Sequence, residues 1–169
     1  LPRSHCTHTA MTTPKKTMFL ATDPFGTPLH QALLPFLREQ GLDVHDLGTG
    51  DYYTKAADVG RAVAAAAAAP RPLCSSSSSS PSTTTTNEAQ GIVICGTGMG
   101  VCIAANKVPG IRAAVAENIA AAVNSKSVNN SNVLALGAMV TDVENAKEIV
   151  SAWLNAEFKG SAPANKGEG

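Results

Sequence analysis

The segment Gly91-Ile-Val-Ile-Cys95-Gly-Thr97-Gly-Met-Gly100-Val-Cys-Ile-Ala-Ala-Asn106-Lys107-Val-Pro-Gly110 joins an apolar run to a glycine loop and then to a helical pattern. The run Ile92 to Ile94, without polar alternation, fits a strand buried on both faces of a parallel sheet. Gly96, Gly98 and Gly100 let the backbone turn sharply with its amides facing outward. Such amides beside a helix start attract an anion or a developing oxyanion. Cys95 at the strand tip adds a base or nucleophile, and Thr97 adds a hydroxyl donor. A blander reading also fits: Cys95 as an ordinary buried thiol, with glycines that merely allow tight packing. Three alternate glycines around a threonine exceed what a packing turn requires.

Two better-known glycine loops are poor matches. A dinucleotide fingerprint places its third glycine where Val101 stands, one residue beyond Gly100, although Glu117 lies about twenty residues on, as a ribose-binding acid would. No Gly-Lys-Ser/Thr follows, so the loop is not a P-loop.

Apolar β runs alternate with helical patterns on either side. Met18 to Ala21, Val44 to Leu47, Ile92 to Ile94, Ile111 to Val115 and Val133 to Leu136 read as strands. Thr27 and Pro28 read as the cap and first-turn proline of a helix whose stripe is Leu29, Ala32, Leu33, Phe36 and Leu37. Thr141 and Glu144 read as a capping box ahead of Val143, Ala146, Ile149, Val150, Trp153 and Leu154. Five βα units predict a parallel sheet with helices on both faces, and sites in such sheets gather at the carboxyl ends of the strands. Asp23, residues 48–53, Cys95 to Gly100 and Glu117 are therefore expected to converge.

The expected domain is residues 17–160. Residues 1–16, basic and without acidic side chains, read as a transit or vector-derived remnant, the Ser/Thr-rich stretch at about 70–90 as a solvated insertion, and 161–169 as a flexible tail. Thirteen Lys and Arg against 13 Asp and Glu, with only 4% aromatic residues, argue against a nucleic-acid surface. Cys6, Cys74, Cys95 and Cys102 show neither zinc spacing nor a Cys-x-x-Cys pair, which fits a reducing compartment, cytoplasm or chloroplast stroma, and no metal site. The alanine-rich run 62–69 is too short and too weakly apolar to cross a bilayer.

Asp23 after the first strand, Asp46-Leu-Gly-Thr49, Asp51-Tyr52, Ile94-Cys-Gly-Thr-Gly-Met-Gly100, Ala104-Ala-Asn-Lys-Val-Pro-Gly-Ile-Arg-Ala113 and Asn132-Val-Leu-Ala-Leu-Gly137 together carry a resemblance. From about Thr17 to Gly160, the Ser/Thr stretch excepted, the chain resembles the type B ribose-5-phosphate isomerase and galactose-6-phosphate isomerase family. Finer features, Asp23-Pro-Phe-Gly26 and Tyr52-Tyr53 among them, resemble its plant or algal branch. The resemblance implies a three-layer α/β/α Rossmann-like fold with a five-stranded parallel sheet. It also implies a cofactor-free, homodimeric enzyme of the pentose phosphate pathway, with sites completed across subunits, converting ribose 5-phosphate to ribulose 5-phosphate through an enediolate. By the same resemblance Cys95 is the base and Thr97 its catalytic neighbour, while Gly96, Gly98, Met99 and Gly100 complete the enediolate loop. Asp23 matches a sugar-hydroxyl ligand, although a turn or cap aspartate fits it as well. Asn129 matches a substrate-binding asparagine, and Tyr52, Glu117 and Arg112 are further candidates.

The chain also departs from the family pattern. Pro24 stands where a histidine commonly follows the first aspartate, Glu117 and Val128 occupy the two positions of the ring-opening histidine, and Met139 replaces a phosphate-binding arginine. The arginines of the usual tail are missing from 161–169. His30, Lys55, Lys107, Arg112 and Lys126 are the cations nearest the motifs, each expected to be a solvated charge, with Arg112 expected to find a partner. Glu117 fits an acid/base if burial raises its pKa, or a carboxylate at a helix start. Two readings of function stand: a sugar-phosphate isomerase, or a degenerate member that only binds sugar phosphates or partners.

Overall fold

The apolar runs form strands whose unbroken hydrophobicity reflects helices on both faces of the sheet. The computed structural model describes residues 16–69 and 89–160. Its elements are β1 (Thr17–Thr22), α1 (Thr27–Glu39), β2 (Asp43–Thr49), α2 (Tyr52–Ala68), β3 (Gln90–Cys95), α3 (Met99–Ala105), β4 (Ala113–Val115), α4 (Ile119–Ser127), β5 (Val133–Gly137) and α5 (Val143–Asn155). All strand pairs are parallel, in the order β2-β1-β3-β5-β4. Of the expected leader only Lys16 is described, and of the expected insertion only Ala89 and Gln90. Residues 1–15, 70–88 and 161–169 lie outside the described residues.

Alternation along the strands sends each side chain into one of two cores. Met18, Leu20, Ile92, Ile94, Leu134 and Leu136 face the layer of α1, α4 and α5, where Trp153 is fully buried. Ala21, Val93, Cys95 and Ala135 face α2 and α3. The smaller side chains on that face let helices come close; a Cβ on Gly91 would lie 2.5 Å from Val59 of α2. The indole N–H of Trp153 donates to Ser131 Oγ at 2.8 Å, so a buried polar group is satisfied across the first layer.

Three boundaries differ from the sequence expectation. β4 starts at Ala113, not Ile111, because the Arg112 amide bonds the Asn132 side chain and the Ile111 amide closes a turn on Val108, which removes both from the ladder. Thr27 is the first residue of α1, not its cap. Ahead of it Pro24–Gly26 form a 3-10 turn capped by the Asp23 carboxylate, which accepts from the Gly26 amide at 2.9 Å. α5 is capped by Asp142 rather than Thr141, with the Asn145 amide donating to its carboxylate at 2.9 Å; Glu144 pairs with Lys147 instead of reaching back.

Candidate active site

β1 and β3 are neighbours, yet the chain leaves them toward opposite faces, β1 into α1 and β3 into α3. Diverging connections of this kind open a crevice at the carboxyl ends of the strands. The Asp23 amide donates to the Ile94 carbonyl at 3.1 Å and ties the two strand ends together. A cleft of about 280 Å³ lies there, lined by Asp23, Phe25, Tyr52, Cys95, Gly96, Thr97, Gly100 and Met139.

Cys95 ends β3 and is 6% exposed. Its sulfur accepts from the Gly98 amide at 3.2 Å, so one amide of the loop turns inward onto the thiol instead of outward to an anion. Gly98 adopts φ +77°, a conformation that glycine takes without strain, and this turn aims its amide. The Gly96 and Thr97 amides have no partner among the described residues and remain to serve a ligand. The loop is clamped by the chain leaving β5: the Ala138 amide donates to the Cys95 carbonyl at 2.9 Å and the Met139 amide to the Gly96 carbonyl at 2.8 Å. Asp23 is buried with one carboxylate oxygen on Gly26, which leaves the second for a hydroxyl donor; it is both the turn cap and a wall of the cleft. Cys102, on α3, is different. Burial pushes its thiol pKa up, and the Sγ lies 3.4 Å from the Ala113 carbonyl, away from the cleft.

The Ribose/Galactose Isomerase family model matches residues 18–168. The chain belongs to the ribose/galactose isomerase family. It is 37% identical over 150 residues to ribose-5-phosphate isomerase B of Escherichia coli, covering 86% of this chain and 87% of that protein. It is 39% identical over 146 residues to a DNA damage-repair/toleration protein of Arabidopsis thaliana, spanning 86% of this chain but 41% of that longer protein. Among solved structures, ribose-5-phosphate isomerase B of Clostridium thermocellum matches with TM-score 0.71 at 37% identity, over 86% of this chain and 88% of that one. The Mycoplasma genitalium enzyme with bound ribulose-5-phosphate matches with TM-score 0.71 at 30% identity, over 86% and 87%. These matches bear out the three-layer fold with its five-stranded parallel sheet and the family resemblance. No helix among the described residues is long and apolar enough to cross a membrane.

Within this isomerase fold the expected convergence holds for Asp23, Tyr52 and the 95–100 loop, but not for Glu117. Glu117 follows β4, the edge strand, and β5 stands between β4 and β3. It lines a separate groove with Asn118, Asn145 and Glu148. Arg112 sits at the amino end of β4, donating to the carbonyls of Asn130 and Gly110, so its expected partner is backbone. Asn129 is exposed on the turn after α4. That turn is tied to the amino ends of the strands through the Gly91 amide and the Asn132 carbonyl, across the sheet from the cleft. Met99 is exposed and outside the cleft lining, and Gly98 serves as a buried turn residue.

Two of the expected solvated cations are not solvated. His30 is buried against Asp46 at 2.8 Å, and Lys126 is buried with its ammonium 5.3 Å from the Trp153 ring centroid. No cation and no imidazole lines the cleft among the described residues. Sequence reasoning gave no role to the two apolar walls, Phe25, 71% exposed, and Met139, 76% exposed. Their signals were their positions beside Asp23 and after Gly137-Ala138.

Proposed function

We propose that the chain is an aldose-ketose isomerase that converts ribose 5-phosphate to ribulose 5-phosphate through an enediolate. The observation that carries this reading is Cys95 facing a cleft beside Thr97 and the Gly96 and Thr97 amides, which have no partner among the described residues. In the forward direction the Cys95 thiolate takes the C2 proton of the open-chain aldose. The electron pair left behind forms the C1–C2 double bond of the enediolate as the C1 carbonyl becomes an oxyanion. The amides and the Thr97 hydroxyl stabilise that oxyanion, the C2 hydroxyl proton passes to O1 by way of solvent water, and Cys95 returns its proton to C1 as the C2 carbonyl forms. Asp23 accepts a sugar hydroxyl.

The phosphate needs a cation that this cleft lacks among the described residues, and Asn129 cannot reach it within one protomer. Under this reading a second copy supplies what is missing, as the family's homodimer would. The proposed setting is the pentose phosphate pathway of a plant or algal cell, in cytoplasm or chloroplast stroma. A conversion assay on ribose 5-phosphate and a panel of aldose phosphates tests the activity: ketose formation supports it, and no conversion across the panel overturns it.

Among the described residues no histidine or arginine lines the cleft, which favours a second reading, a sugar-phosphate binding module without turnover. Ligand-dependent thermal stabilisation without any isomerisation is its signature.

A further inference from the structure

Ribose 5-phosphate is chiefly a ring, and its carbonyl is free only after a proton leaves the C1 hydroxyl and another reaches the ring oxygen. The cleft holds no imidazole for this among the described residues. Its remaining side chains narrow the choice. Cys95 is occupied with the carbon-bound proton, and Phe25 and Met139 carry no exchangeable hydrogen. Asp23 already accepts from the Gly26 amide through one oxygen and offers the other as an acceptor. Thr97 lies with its hydroxyl 3.4 Å from the Met99 amide and serves the oxyanion. Tyr52 has a hydroxyl that both donates and accepts, and no group of the described residues bonds it.

Tyr52 is also held in place. Asp51 caps α2, accepting from the Thr54 amide at 2.9 Å and the Thr54 hydroxyl at 3.0 Å. The Gly50 amide donates to the Thr22 carbonyl at 3.0 Å, which fixes the entry to α2 against the end of β1. The ring lies against Gly100, where an added Cβ would stand 3.0 Å from Tyr52 Cε2 and 3.2 Å from Cδ2. Tyr53 meets it edge-on, with centroids 6.2 Å apart and planes at 80°. A glycine at position 100 is thus what lets a phenol sit over the enediolate loop.

We propose that Tyr52 is the ring-opening acid of this site, an inference that rests on the isomerase reading. Its hydroxyl gives a proton to the ring oxygen as the C1–O bond breaks and that bond's electron pair goes to the same oxygen. The C1 hydroxyl proton passes to the Asp23 carboxylate, and the electron pair of that O–H bond becomes the second bond of the C1 carbonyl. The phenolate then recovers the proton from Asp23 through solvent water, so the step is proton-neutral.

The test compares two substrates in wild type and Tyr52→Phe, which keeps the ring against Gly100. In erythrose 4-phosphate the oxygen that would close a ring carries the phosphate, so this sugar needs no opening. Tyr52→Phe is expected to lose at least about 10²-fold more kcat/KM on ribose 5-phosphate than on erythrose 4-phosphate, the low end of what one acid/base group contributes. Equal losses on both sugars, or no loss on either, overturn the assignment. Wild-type turnover of erythrose 4-phosphate alone overturns it, together with ribose 5-phosphate as the substrate, and leaves aldose-ketose isomerisation standing. Turnover of neither sugar is the distinct outcome in which the isomerase reading itself fails.

Discussion

A methyl group added to Gly137 would stand 2.6 Å from the carbonyl carbon of Thr97 and 2.7 Å from its oxygen, both backbone atoms with no freedom to swing aside. The Thr97 loop can therefore follow its path only because position 137 has no side chain. Gly137→Ala is expected to lower stability by about 1–3 kcal/mol, the range for overpacking, and to displace the amides that flank Cys95. Because misplacing a reacting group by an ångström costs about 10²-fold, turnover should fall by about that factor even where the variant remains folded. Denaturant midpoint and kcat on one sample check both. Cys95, Thr97 and the three loop glycines were legible in sequence, since a thiol and a hydroxyl among alternate glycines after an apolar run have few other uses. The role of Gly137 in the loop was not. Its contact pairs positions forty residues apart in sequence, and nothing local marks it.

At the scale of elements, the path from β2 into α2 decides where Tyr52 stands. The Asp46 carboxylate accepts from the Gly48 amide at 2.8 Å and pairs with buried His30 of α1 at 2.8 Å, while Gly48 takes φ +76°. Burial alone would raise the Asp46 pKa, but the Gly48 amide, the His30 contacts and the Arg38 charge outweigh it and hold the carboxyl below its ordinary value of 3.8. The Thr54 amide and hydroxyl likewise lower Asp51 at the start of α2. A carboxylate with a depressed folded pKa adds stability that is present above the unfolded value and lost as pH falls through the folded one. Stability is thus expected to hold from neutrality to about pH 4 and to drop below it. In Asp46→Asn the drop should be shallower and the neutral-pH stability lower, as read from urea midpoints across pH 2–7. An Asn variant with an unchanged acid limb would remove Asp46 from the account. Helix starts show where local reading fails. Thr141 has the residue type of a cap and Glu144 the right spacing, but the adjacent Asp142 takes the Asn145 amide. Several neighbours suit a cap, and backbone direction chooses among them.

At the scale of the whole molecule, the alternation of apolar runs and amphipathic stripes made the α/β architecture legible, and with it the rule that chemistry gathers at carboxyl strand ends. Strand order was not legible. The order β2-β1-β3-β5-β4 puts β1 beside β3, so Asp23 meets Cys95, and it puts β4 at the edge, so Glu117 does not. The turn at Asn129 lies at the opposite end of the strands for the same topological reason, since α4 runs back from the carboxyl end of β4 to the amino end of β5. What the fold concentrates in the cleft is one buried thiol with a hydroxyl and free amides beside it, and the central claim is that this thiol moves the proton. The direct measurement is kcat/KM for ribose 5-phosphate in wild type and Cys95→Ala. The expected result is measurable conversion by wild type and a loss of at least about 10²-fold in the variant, the low end for a positioned proton-transfer group. Conversion by Cys95→Ala at the wild-type rate would contradict it.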